Sequence, residues 1–228
     1  MGQQPLEPAF GGELLSTTVK RMVLDRIVHG HYKPGERIIE LRIAKELGIS
    51  QSPVREALRD LAAIGIITIH SRRGARVRMP TGKELGDVSL VRSEIDALAA
   101  RLAVPELDAD TIARLQDAYD EMVACLDAGD HVGITRADAR FHKIIAETSA
   151  NHAVERVFDQ LEPFARTFIT LTLPNVDVRS IVLEHRQILT ALKRRDPKLA
   201  SDRARAHQVN VSELLREHYS LDRADPGS

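Results

Sequence analysis

The sequence predicts a mostly α protein in two parts: three helices and a β-hairpin, followed by an all-α antiparallel bundle of about six helices. Three observations point there. Apolar residues recur at helical spacing through most of the chain, and only residues 66–79 read as strands. Charge also divides near residue 80. Residues 1–80 carry 13 Lys and Arg against 8 Asp and Glu, and residues 81–228 carry 19 against 25, under a net charge of only −1. A basic segment beside an acidic one is the asymmetry expected where only the first meets nucleic acid.

A length of 228 residues suits one large domain or two smaller ones. Hydrophobic residues at 43%, with 4% aromatics and no Trp, indicate helical packing of aliphatic side chains. Cys125 stands alone, which excludes an intrachain disulfide and fits a reducing compartment. No run of 18 apolar residues is available to span a membrane. The start, Met1 to Leu6, lacks a basic segment and an apolar run, and Leu6 stands where myristoylation needs Ser or Thr. Residues 1–12 read as a disordered lead, residues 13–80 and 81–228 as two domains, and the whole as a soluble cytoplasmic protein.

In the first domain, Leu15, Val19, Met22, Val23 and Ile27 form one helical stripe, which Gly30 stops. Pro34-Gly35 signals a turn. Ile43, Ala44 and Leu47 mark a short second helix, and Gly48 suits the left-handed position past its end. Ser52-Pro53 fits the N-cap and first position of a third helix to about Ile64, with Val54, Leu58 and Leu61 inward. Ile66 to His70 is β-branched, Ser71 to Gly74 is a basic turn, and Ala75 to Met79 is the returning strand.

Three helices and a hairpin with an arginine-rich tip make a winged helix-turn-helix. Ser50, Gln51, Ser52 and Arg55 stand at the exposed start of its third helix, where base edges and phosphates are met. Arg59 lies one turn further, and Arg72, Arg73 and Gly74 form the tip that would lie against phosphates or a minor groove. The plainer alternative is a surface helix with ordinary arginines beside a structural hairpin.

Pro34-Gly35-Glu36-Arg37-Ile38, Ala44-Lys45-Glu46-Leu47-Gly48-Ile49-Ser50, Pro53-Val54-Arg55-Glu56-Ala57-Leu58 and Arg72-Arg73-Gly74 resemble the GntR family of bacterial transcription regulators. The resemblance covers nearly all of residues 13–80. It implies a homodimer on a short palindromic operator, with Arg55 as the recognition-helix arginine and Gly74 in the wing. Leu41 and Gln51 stand where the family often has arginine. Glutamine favours adenine where arginine favours guanine, so the operator is expected to differ there.

Thr81-Gly82-Lys83 reads as a short polar joint. Leu85, Val88, Arg92, Ile95, Ala99 and Leu102 then give a helix ending before Pro105. Asp108 can cap a second helix that Gly129 closes, and a third covers about Asp130 to Ser149. The fourth runs from Asn151 to about Leu171, where Pro163 can kink it, and Pro174-Asn175 is a turn. A fifth covers about Arg179 to Arg194, and Asp196-Pro197 opens a sixth that reaches about Tyr219.

Polar residues interrupt the apolar stripes. Asp138 and His142 share the inward face of the third bundle helix, His185 that of the fifth, and His207 that of the sixth. A lone inward His is usually a hydrogen-bonded core residue. Three of them with one carboxylate suit a divalent metal ion, Zn, Ni, Mn or Fe, because a cation compensates a buried carboxylate. No helix carries the Glu-x-x-His pair of di-iron bundles. Arg92 interrupts the first helix's stripe, either as an ion pair with an acidic neighbour or as a fork for a carboxylate ligand.

Val91-Arg92 with Ala99-Ala100-Arg101-Leu102-Ala103, Asp138-x-x-Phe141-His142, Asn151, Glu184-His185-Arg186 and Arg205-Ala206-His207 resemble the FCD ligand-binding domain of the FadR-like branch. The resemblance spans most of residues 84–219, and six helices look like the shorter VanR-type variant. It implies that Asp138, His142, His185 and His207 coordinate the metal. The expectation is then a metabolite-controlled regulator, a repressor and not an enzyme, whose small carboxylate effector binds beside the metal and Arg92. A metal-dependent enzyme with an accessory DNA-binding domain is the rival, although no inward carboxylate beyond Asp138 is legible as a general base. A bundle that only dimerises is a further alternative.

Overall fold

The computed structural model describes residues 14–70, 74–172, 176 and 178–221. The lead over residues 1–12, the wing arginines Arg72 and Arg73, and the Pro174-Asn175 turn fall outside these residues. The chain divides into two compact units, Met1–Met79 and Pro80–Ser228.

The first unit runs α1 (Leu15–Val28), β1 (Arg37–Ile38), α2 (Glu40–Leu47), α3 (Gln51–Ala63), β2 (Ile67–His70) and β3 (Gly74–Val77). α1 and α3 touch, burying Val19, Val23 and Ile27 of the one and Val54, Leu58 and Leu61 of the other. Gly48 adopts φ 65°, the left-handed conformation that lets the chain leave α2 sharply, and the Ile49 N–H then bonds the Ala44 carbonyl at 3.0 Å. α3 begins two residues before the position that Ser52-Pro53 suggested. Ser50 is the N-cap, in an extended conformation, and its side chain makes no capping bond. Pro53 is accommodated in the first turn because the N–H it lacks would have no intrahelical partner there. The hairpin is in fact part of a three-stranded sheet of order β1-β3-β2. Ile38 of β1 stands opposite Ala75 and Ile67 of β2 opposite Val77, and all four side chains are buried.

The second unit contains α4 (Gly82–Ala103), a 3-10 turn (Val104–Glu106), α5 (Ala109–Ala128), α6 (His131–Thr148), α7 (His152–Thr172), α8 (Arg179–Lys193) and α9 (Pro197–Leu221). Thr81-Gly82-Lys83 is not a joint. Thr81 caps α4 in a reciprocal box with Glu84, and Gly82 and Lys83 are its first helical residues. Asp108, Asp130 and Asp196 accept from the backbone N–H three residues on, at 2.7, 2.9 and 2.9 Å. Pro163 lies inside α7, and the Thr167 hydroxyl donates to its carbonyl at 2.7 Å.

α4 and α9 form a long antiparallel seam. The Ser212 hydroxyl donates to the Gly86 carbonyl at 3.0 Å, Gln208 to Asp96 at 2.7 Å, and Arg205 to Glu94 at 2.8 Å. A Cβ at position 86 would run into the Arg216 side chain, which would have to move away. Phe141, Leu115, Met122, Ile188 and Leu192 are fully buried at the bundle centre. No helix among the described residues is long and apolar enough to cross a membrane.

Candidate nucleic-acid interface and metal centre

In the first unit, Ser50, Gln51, Ser52, Arg55 and Arg59 are all exposed, along the start and outer face of α3. Burial of Val54, Ala57, Leu58 and Leu61 fixes which face points outward. The Arg55 Nε donates to Glu40 Oε2 of α2 at 3.2 Å, so the guanidinium is held beside the first turn of α2. Gly74 adopts φ 77°, which an L side chain rarely takes, and a Cβ there would lie 3.4 Å from the Arg37 Nε. Exposed Arg37 thus stands beside Gly74 at the start of β3. Sequence reasoning missed it because β1 is too short to show alternation.

In the second unit, the bundle brings together all four candidate metal ligands. One donor atom each from Asp138, His142, His185 and His207 lies within 4.8 Å of the others. The His185 Nε2 is 3.0 Å from Asp138 Oδ1 and 3.2 Å from the His142 Nε2, and His142 Nε2 is 3.8 Å from the same Asp138 oxygen. The three imidazoles are buried and Asp138 is partly so. α6 supplies the first two ligands one turn apart, and the edges of Phe141 pack against the rings of His142 and His185.

Each imidazole is oriented by a partner at its other nitrogen. The Nδ1 of His185 lies 3.1 Å from the Val182 carbonyl, that of His207 3.1 Å from Glu184 Oε2, and that of His142 3.4 Å from Asp96 Oδ2. A carbonyl or carboxylate oxygen only accepts, so the hydrogen bonds at His185 and His207 favour a proton on Nδ1 and a Nε2 lone pair free for a metal. Burial is the largest influence on His142 and pushes it down to about 3, and burial likewise holds His207 well below its ordinary value. Burial would raise Asp138, but the contact from His185 and the surrounding imidazoles hold it below the usual carboxylate range. Neutral imidazoles and an ionised carboxylate are the forms that bind metal. A proton on the His185 Nε2 would serve Asp138 and His142 alone, whereas a divalent cation serves all four donors. Metal–nitrogen bonds of about 2.0–2.1 Å set neighbouring ligands roughly 3 Å apart, near the two shortest separations here, within a set that spans up to 4.8 Å.

Arg92 is 3% exposed and shares a cavity of about 40 Å³ with Asp138, His185, His207 and Gln208. Its Nη2 lies 3.5 Å from Asp96 Oδ2, and neither this atom nor Nε has a hydrogen-bond partner among the described residues. The acidic neighbour is therefore real, yet it leaves the fork unsatisfied. The Gln208 Nε2 donates to the same Asp96 oxygen at 2.7 Å, which leaves its own Oε1 unpaired.

Asp96 corrects the reading that Asp138 is the sole inward carboxylate, since it is 4% exposed. Its signal was its place one turn after Arg92, among the small residues of α4 that face α9. It is occupied by Gln208 and sits on the far side of His142, so it is not a free base. Glu184 and Gln208 were also missed; Glu184, beside His185 in sequence, carries no periodicity of its own.

Residues 15–77 match the family described as bacterial regulatory proteins, gntR family, and residues 87–210 match the FCD domain. The chain is 30% identical over 205 residues to the "Probable D-xylose utilization operon transcriptional repressor" of Paenarthrobacter nicotinovorans, covering 88% of this chain and 90% of that protein. It is 28% identical over 209 residues to the HTH-type transcriptional repressor GlaR of Escherichia coli, covering 87% and 89%. Among solved structures, E. coli McbR/YncC superposes with a TM-score of 0.79 at 22% identity, over 90% of this chain and 98% of that one. With both of its domains matched, the chain belongs to the gntR family of bacterial regulatory proteins, as a transcription regulator with an FCD domain and not an enzyme.

Proposed function

We propose that this regulator is a metal-containing, metabolite-controlled repressor that acts as a homodimer on a palindromic operator in the bacterial cytoplasm. Arg55, with Ser50, Gln51 and Ser52, contacts base edges and phosphates, Arg59 lies at the margin, and Arg72, Arg73 and Gly74 of the wing grip the backbone. Asp138, His142, His185 and His207 hold a divalent ion, Zn, Ni, Mn or Fe, which supplies a Lewis-acidic anchor for a ligand oxygen. A small carboxylate effector binds there and pairs with Arg92. Its control of DNA binding follows from favouring one arrangement of the protein over another.

The observation that carries this reading is a cluster of four metal donors, three of which (Asp138, His185 and His207) line one cavity with a buried guanidinium whose N–H groups lack acceptors among the described residues. Buried N–H groups without an acceptor are costly, and a bound carboxylate would supply two acceptor oxygens. The test measures metal content and operator release together. Full-length protein expressed with supplemented metals should carry about one ion per chain, and an operator selected from random DNA should be released by a small acid. Arg92→Gln should keep the metal and lose the release. A metal-free wild-type protein, or release unchanged in Arg92→Gln, contradicts the proposal.

A further inference from the structure

The cavity beside Arg92 has two layers of different chemistry. His207 and Gln208 of α9, His185 of α8 and Asp138 of α6 line one level. On α9 the wall continues through Val211 to Leu214 and Leu215, and on α8 it runs back through Val182 and Ile181 to Val178, the residue that precedes the helix. At 1.5 Å per residue, each helix carries the aliphatic wall roughly 10–12 Å beyond its histidine. Thr135 supplies the hydroxyl among the described lining residues, and it is already 2.7 Å from the Thr170 hydroxyl.

We infer that the effector is a short monocarboxylate with an apolar body, its carboxylate at Arg92 and the metal donors and its hydrocarbon in the Val, Ile and Leu layer. A second charge or a distal hydroxyl would be buried there against side chains that offer it nothing. A methylene in the same place gains, at roughly fourfold in affinity for each one buried. Dicarboxylates, sugar acids and sugars are therefore the wrong class for this wall. The inference rests on the proposed effector site and adds the nature of its far end.

Metal-loaded full-length protein titrated calorimetrically with acetate, butyrate, hexanoate, succinate and gluconate tests it. Affinity should climb by roughly fourfold per methylene until the cavity is filled, with butyrate ahead of succinate and hexanoate ahead of gluconate. Val211→Thr places a hydroxyl in the apolar layer at nearly unchanged size. It should weaken binding of the best alkanoate several-fold and leave acetate as it was. Succinate or gluconate binding tighter than its apolar counterpart, or an affinity indifferent to chain length, overturns the inference while the acid site stands. Absence of binding by every acid overturns both.

Discussion

Replacing Glu184 by Gln tests the metal centre without touching a ligand. In the native side chain one oxygen accepts from the His207 Nδ1 at 3.1 Å and the other from the Asn210 amide at 2.7 Å. Gln offers one accepting oxygen in place of two. If that oxygen stays with Asn210, the new NH2 group faces His207 Nδ1 and favours the tautomer with its proton on Nε2, the atom that should bind metal. If it turns to His207, the NH2 group meets the Asn210 donor. Either way the orientation of His207 loses support. Loss of such an outer partner typically lowers metal affinity 10–100-fold, or about 1.4–2.7 kcal/mol. Competition against a chelator of known affinity reads this directly, with the helical content of the metal-free variant as a check on folding. Wild-type affinity in Glu184→Gln would refute the tautomer argument.

Other perturbations probe separate links in the chain of inference. Arg55→Ala should weaken specific operator binding by about 1–3 kcal/mol in a polarisation assay and leave the unfolding midpoint unmoved, since the side chain is exposed. Gly133→Ala should lower stability by about 1–3 kcal/mol in thermal unfolding, because its Cβ would press on Cys125 and on the capping carboxylate of Asp130. His142 is held near 3 against an ordinary 6.5, so the unfolded chain binds more protons between these values. The metal-free protein should therefore keep this stability above about pH 6.5 and lose it as pH falls toward 3, by up to about 1.4 kcal/mol per unit from this imidazole. Urea titrations at pH 7, 6 and 5 that give equal stabilities would contradict it.

Much of the architecture was legible because local signals coincide with global ones. Asp108 and Asp196 read as caps and act as caps, and Gly48 and Gly129 read as helix ends and adopt the left-handed conformation. The candidate ligand cluster was legible because three inward histidines and a carboxylate on three helices of one bundle have few bland explanations. What escaped notice depends on pairing across the chain. β1 has only two residues and exists through its partners in β3. The start of α3 was misplaced because two serines precede Pro53, and the first turn tolerates proline at more than one position. Asp96, Glu184 and the Val182 carbonyl orient the imidazoles from positions that periodicity does not mark.

α4 bears on how a signal could leave the cavity. It is a single helix of 22 residues whose first turn is sealed by the Thr81–Glu84 box, directly after the boundary between the two units. Arg92 sits ten residues into it, about 15 Å from its start. A ligand that pulls on this guanidinium pulls on a stiff rod rather than on a relay of side chains. The displacement would then arrive at Thr81 with little lost on the way.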